Sequence, residues 1–128
     1  MTLLLDTHTF LWFCQGDKRL SATATNLIQD LANRKLLSIA SCWEIAIKAG
    51  MRKLTLGEPS ATYIPNTLAR TGFELLPISV ALASGVEVLP PHHRDPFDRL
   101  LVAQAIADQI PLVSGDPVFD AYGITRHW

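Results

Sequence analysis

Residues 3–14 read Leu-Leu-Leu-Asp-Thr-His-Thr-Phe-Leu-Trp-Phe-Cys. An apolar triplet that ends at an acid fits a short buried strand, and residues 8–15 then read as a helix carrying Phe10, Leu11, Trp12 and Phe13. The same strand-then-helix unit recurs outward from this start. Ser21 is a good N-cap for a helix to about Asn33, with Leu27, Ile28 and Leu31 on one face. Leu36 to Ala40 is a second strand candidate, and Ser41 is placed to cap a helix that holds Trp43, Ile45, Ala46 and Ile47 and stops at Gly50. Pro59 to Arg70 reads as a helix closed by Gly72, Phe73 to Ile78 as a strand, and Val80 to Val88 as a helix. Pro90-Pro91-His92-His93 reads as a loop. Asp95-Pro96 opens a helix to about Gln109, with Leu100, Leu101, Ala103, Ala105 and Ile106 spread almost all round it. Pro111 to Ser114 and Ile124 to Trp128 complete the strands, the last at an edge. Short strands alternating with helices predict a parallel sheet covered on both faces.

The chain has 128 residues, which is one domain's worth, so a single unit over residues 1–128 is expected. Apolar types make up 48% and charged types 18%, a globular rather than a disordered balance. Cys14 and Cys42 sit in no CxxC or His-rich setting, which argues against a disulfide scaffold or a structural zinc and for reduced thiols in a cytoplasmic protein. No apolar run reaches the ~20 residues of a membrane span. The greasy start lacks a basic segment and is interrupted by Asp6 and His8, so it does not read as a signal peptide.

In an open parallel sheet, ligands sit outside the carboxyl ends of the strands. Asp6 directly follows the first strand, Glu44 and Asp98 fall in the first turns of predicted helices, and Asp116 follows the Pro111–Ser114 strand. All four are expected on one rim. Each also has a bland explanation. Ser41-Cys42-Trp43-Glu44 has the form of a capping box, Asp95 is an N-cap before Pro96 with Asp98 favoured by the helix dipole, and Asp116 suits a turn. Asp6 resists that treatment, because an acid closing a buried strand is costly without a partner. Gathered carboxylates need a cation, and Mg²⁺ or Mn²⁺ is the natural one for oxygen ligands.

The net charge of −1 hides an asymmetry: without those four acids, eight acids remain against eleven bases. A metal-filled pocket in a mildly basic body suits a polyanion. Lys48, Arg52 and Lys53 near Glu44, and Arg94 and Arg99 beside Asp95 and Asp98, are candidate contacts for a nucleic acid, with helix capping and surface solvation as the ordinary alternative. Other chemistries fit poorly. No GxSxG or GxGxxG occurs, position 8 is His where a DxD phosphatase needs Asp, and no Lys follows Lys53 to serve a receiver domain.

The segments LLLDTHTFLW, SCWEIAIK, DPFDRLLVAQAIA and LVSGD together resemble the PIN-domain ribonucleases, and most of all the VapC-like toxins of bacterial toxin–antitoxin pairs. The resemblance covers nearly the whole chain, with the four acidic motifs in order. It implies a three-layer α/β/α sandwich with a short, mostly parallel sheet. It also implies a Mg²⁺- or Mn²⁺-dependent endoribonuclease that cleaves RNA by metal-activated water, forms homodimers and is neutralised by a cognate antitoxin. Carried over by residue, Asp6, Glu44, Asp98 and Asp116 are the catalytic and metal-binding acids, Glu44 directly or through water. Ser114, Thr7 and Asp95 are supporting residues, and Lys48, Arg52, Arg94 and Arg99 would face RNA. The alternative is a non-catalytic PIN-like module that binds RNA or protein.

Overall fold

A computed structural model describes residues 1–128. Its centre is a five-stranded, all-parallel sheet in the order β3-β2-β1-β4-β5. The chain runs through β1 (Thr2–Leu5), α1 (Thr7–Gln15), α2 (Ala22–Gln29), β2 (Arg34–Ser38), α3 (Ile39–Gly50), α4 (Ser60–Thr71) and β3 (Glu74–Leu76). It continues through α5 (Val80–Gly85), a 3₁₀ turn (Val86–Val88), α6 (Pro96–Asp108), β4 (Leu112–Val113), a second 3₁₀ turn (Pro117–Tyr122) and the edge strand β5 (Arg126–His127).

Alternation along the strands builds the three layers. Leu3, Leu5, Leu37 and Val113 face a core shared with Phe10, Leu11, Ala24, Ile28, Ile45 and Phe73. Leu4, Leu36 and Leu112 face the other way, onto Leu101, Val102, Ala105 and Phe119. Both faces are covered, so the strands read as unbroken apolar runs rather than alternating ones. Register pairs Leu4 with Leu36 and Leu112, and Leu5 with Leu37 and Val113. The sandwich expected from the sequence is present, with every strand pair parallel.

Several local expectations give way to tertiary context. The α2 helix ends at Gln29 because Asp30 makes a turn, its carboxylate accepting from the Ala32 N–H and its carbonyl from the Asn33 N–H. Leu31 therefore sits at the turn tip, 93% exposed, and is not on the buried face. Strand β2 starts and ends about two residues before the expected span, and it is Ser38 rather than Ser41 that caps α3, by accepting from the Ala40 N–H at 3.0 Å. Glu44 consequently lies in the second turn, and the capping box does not form. The buried stripe of α3 is Ala40, Ser41, Glu44 and Ile45, which turns Trp43 outward at 62% exposure. Helix α6 buries Leu101, Val102, Gln104 and Ala105 on the sheet, while Ile106 faces solvent.

Because Ser38 both ends a central strand and starts a helix, Ser38→Ala should lower unfolding free energy by about 1 kcal/mol or more. Urea unfolding followed by circular dichroism checks this, and an unchanged midpoint would place the cap elsewhere.

Candidate metal centre

From β1 the chain winds to β2 and β3 on one side, then crosses back to β4 and β5 on the other. The reversal lies between β1 and β4, where a doubly wound sheet opens a crevice at its carboxyl edge. Asp6 follows β1 there and Ser114 follows β4. Both are buried, and the Ser114 hydroxyl donates to Asp6 Oδ2. The same Ser114 oxygen accepts from the Asp116 N–H at 3.0 Å. Asp6 Oδ1 accepts from the Thr9 N–H at 2.8 Å and so caps α1.

Thr7 carries the site across to α3. It has one proton, and a carboxylate can only accept, so the Thr7 hydroxyl donates to Glu44 Oε1 at 2.6 Å. The Ser41 hydroxyl, 2.9 Å from Thr7 Oγ1, then donates to Thr7. Glu44 Oε2 meets Lys48 Nζ at 2.5 Å one helical turn on. Glu44 is thus fully buried yet neutralised and hydrogen-bonded, which is the condition for keeping a carboxylate inside a protein.

The third side is built by α6 and the loop before it. Asp95 caps α6, its Oδ1 accepting from the Phe97 and Asp98 N–H groups. Asp98 sits in the first turn, and Asp116 caps the second 3₁₀ turn by accepting from the Val118 N–H at 3.0 Å. Between these two acids lies His93, which composition and spacing gave only as part of a loop. Its Nε2 is 2.9 Å from Asp116 Oδ2 and 3.1 Å from Asp98 Oδ2. Its Nδ1 accepts from the Asp95 N–H at 3.2 Å, so in the neutral ring Nε2 holds the proton and offers it to both carboxylates. The structure puts this histidine between two of the named acids. Its ring rests on Phe119, with centroids 5.4 Å apart.

The ligand atoms of His93, Asp98 and Asp116 lie within 4.8 Å of one another, close enough for a single cation. The carboxyl of Asp98 is pushed up to about 7, first by burial, then by Asp95, Asp6 and Glu44, with His93 opposing. The acids therefore act on one another electrostatically. Their oxygens are hard donors, the type that Mg²⁺ and Mn²⁺ prefer.

Of the candidate RNA contacts, Lys48 is committed to Glu44. Arg99 turns inward instead, donating to the carbonyls of Val86, Leu89, Pro90 and His93. Arg52 and Arg94 are exposed. Burial pushes the Cys14 thiol up to about 12 and raises Cys42, so neither is a nucleophile.

The sign for Asp98 is definite. A carboxyl near 3.8 unfolded and about 7 folded binds its proton more tightly in the native state. That stabilisation is full below about pH 4 and is lost as pH rises through the folded value. In EDTA, the wild-type melting temperature should fall between about pH 4 and pH 7. Asp98→Asn, which has no proton to lose, should flatten that fall, and identical pH profiles for the two proteins would refute the assignment.

Comparison with known proteins agrees with this geometry. The family pattern described as PIN domain matches residues 3–124. The chain is 47% identical over 66 residues to Ribonuclease VapC16 of Mycobacterium tuberculosis, a match covering 48% of this chain and 45% of that protein. It is 30% identical over 115 residues to Ribonuclease VapC22 of the same organism, covering 90% of this chain and 87% of that one. The crystal structure of VapBC2 from Rickettsia felis, bound to a DNA fragment from their promoter, superposes with a TM-score of 0.72 at 18% identity. That superposition covers 99% of this chain and 98% of the other, and at such identity it is a likeness of fold. No helix is long and apolar enough to cross a membrane. A pattern match over nearly the full length, on a parallel sheet with Asp6 and Ser114 joined at its switch point, makes this chain a member of the PIN domain family, related to the VapC ribonucleases.

Proposed function

We propose that the protein is a divalent-cation-dependent endoribonuclease and the toxin half of a toxin–antitoxin pair. The observation that carries this reading is the continuous hydrogen-bonded network Asp6–Ser114–Asp116–His93–Asp98 at the β1/β4 crevice. In this reading Asp6, Asp98 and Asp116 hold the cation, Mg²⁺ or Mn²⁺. When bound, the cation supplies Lewis-acid chemistry, offsetting phosphoryl charge and making water more acidic. The chain's own residues do the rest. Ser114 fixes the angle between Asp6 and the Asp116 backbone. Thr7 and Lys48 hold Glu44 at the rim, where its remaining lone pairs orient the attacking water. His93 keeps the Oδ2 atoms of Asp98 and Asp116 turned towards each other.

The similarity to named VapC ribonucleases supports RNA as substrate, and the VapBC fold neighbour supports a cognate antitoxin partner. An acidic crevice suits an antitoxin arginine, since a guanidinium pairs with carboxylates through two parallel bonds. A homodimer acting in the cytoplasm completes the proposal.

Purified protein given single-stranded RNA should cleave it in Mn²⁺ or Mg²⁺ and stop in EDTA. Asp98→Asn should lower kcat by more than the ~10–100-fold typical of a residue that merely supports a ligand, and should weaken Mn²⁺ binding by calorimetry. Full activity of folded Asp98→Asn would overturn the assignment. Absence of any EDTA-sensitive cleavage by the folded wild type would leave a non-catalytic PIN-like binding module.

A further inference from the structure

Beside the acids, on the α1 side, lies a pocket of about 460 Å³. Asp6 and Asp116 stand in its wall together with Thr9, Gly115 and an aromatic group made by His8, Trp12 and Trp128. The rings of His8 and Trp12 have centroids 5.8 Å apart, and those of Trp12 and Trp128 lie 6.0 Å apart. Arg19 extends its guanidinium over the Trp12 ring at 4.8 Å, held there by two bonds to Asp17. Trp128 lies so close to the backbone between Ser114 and Asp116 that a Cβ at Gly115 would come within 2.9 Å of its ring. Glycine is needed there for this close approach. Thr9 also lies along this wall, and its buried hydroxyl has no hydrogen-bond partner in the protein.

These observations converge on one ligand chemistry. The volume falls in the range of small-ligand sites, roughly 300–1,000 Å³. Flat aromatic and guanidinium surfaces are what proteins use to stack unpaired nucleobases. A nucleotide joins a flat ring to a phosphate through one sugar, and here an aromatic wall adjoins carboxylates that can hold a cation for a phosphate. We propose that this pocket takes the nucleobase next to the scissile phosphate, so that the substrate is single-stranded or looped RNA with that base turned out of its stack. The proposal rests on the nuclease reading above. An antitoxin side chain is the competing occupant, but the flat faces of Trp12 and of the guanidinium stacked on it favour a planar base.

The test uses the full chain, the oligoribonucleotide it cuts best, and the same oligonucleotide made abasic on either side of the cleaved bond. Trp12→Leu should raise KM about 5- to 100-fold, with Mn²⁺ affinity by calorimetry unchanged. One of the two abasic substrates should lose a similar factor with the wild type and almost nothing more with Trp12→Leu, while Trp12→Phe restores most of the affinity. Arg19→Ala alters an exposed residue, so it tests the wall should Trp12→Leu fail to fold, and it should raise KM in the same direction. Unchanged KM in both variants, or equal abasic penalties in wild type and Trp12→Leu, would overturn the pocket while leaving the nuclease intact. Weakened antitoxin binding with RNA affinity untouched would make it a protein-docking site and equally overturn the proposal. A wild type that cuts no RNA in Mn²⁺ defeats the nuclease reading first, and the pocket with it.

Discussion

One buried hydroxyl, that of Ser114, joins the two halves of the sheet where they part. The β1–β4 ladder ends with the Asp6 N–H donating to the Val113 carbonyl at 3.2 Å, and past that point side chains carry the connection. Ser114 does this by donating to Asp6 and accepting from the Asp116 amide. Asp6 in turn caps α1, and the first residue of α1, Thr7, reaches Glu44 on α3. Three elements distant in sequence are thus positioned from a single crevice, and the placement of the acids follows from the fold rather than from any local motif.

Crowding carboxylates at one rim is electrostatically unfavourable, and the molecule offsets it in several ways. Asp6, Asp95 and Asp116 each sit at the start of a helical segment, where free backbone N–H groups and the helix dipole favour negative charge. Lys48 neutralises Glu44, and His93 offers its proton to Asp98 and Asp116. On Asp98 burial and the remaining repulsion act together, and its carboxyl is held far above its ordinary range.

The alternation of strands and helices was legible because Leu3–Leu5, Leu36–Leu37 and Leu112–Val113 are buried on both faces and so stand out as apolar runs. The caps Ser21 and Asp95 were legible from local chemistry alone. Ser38 and Ser41 were not distinguishable in this way, since both are good caps and only the end of β2 decides between them. The outward placement of Trp43 and Leu31 was not legible, because apolar character does not say which side of an element meets the core. The four acids could be gathered from topology and family resemblance. His93 could not, because its position depends on a loop held by Arg99 through carbonyl groups, an interaction with no period in the sequence.

That loop has a mechanical consequence. Arg99 belongs to the same helix as Asp98, and it grips the carbonyl of His93 as well as those of Val86, Leu89 and Pro90. The imidazole is therefore fastened to the body that carries the carboxylate it faces. Tyr122, in the 3₁₀ turn that Asp116 caps, ties the same loop from the other side, its hydroxyl accepting from the His93 N–H and donating to the Pro90 carbonyl, each at 2.8 Å, so the imidazole is braced from both banks of the crevice.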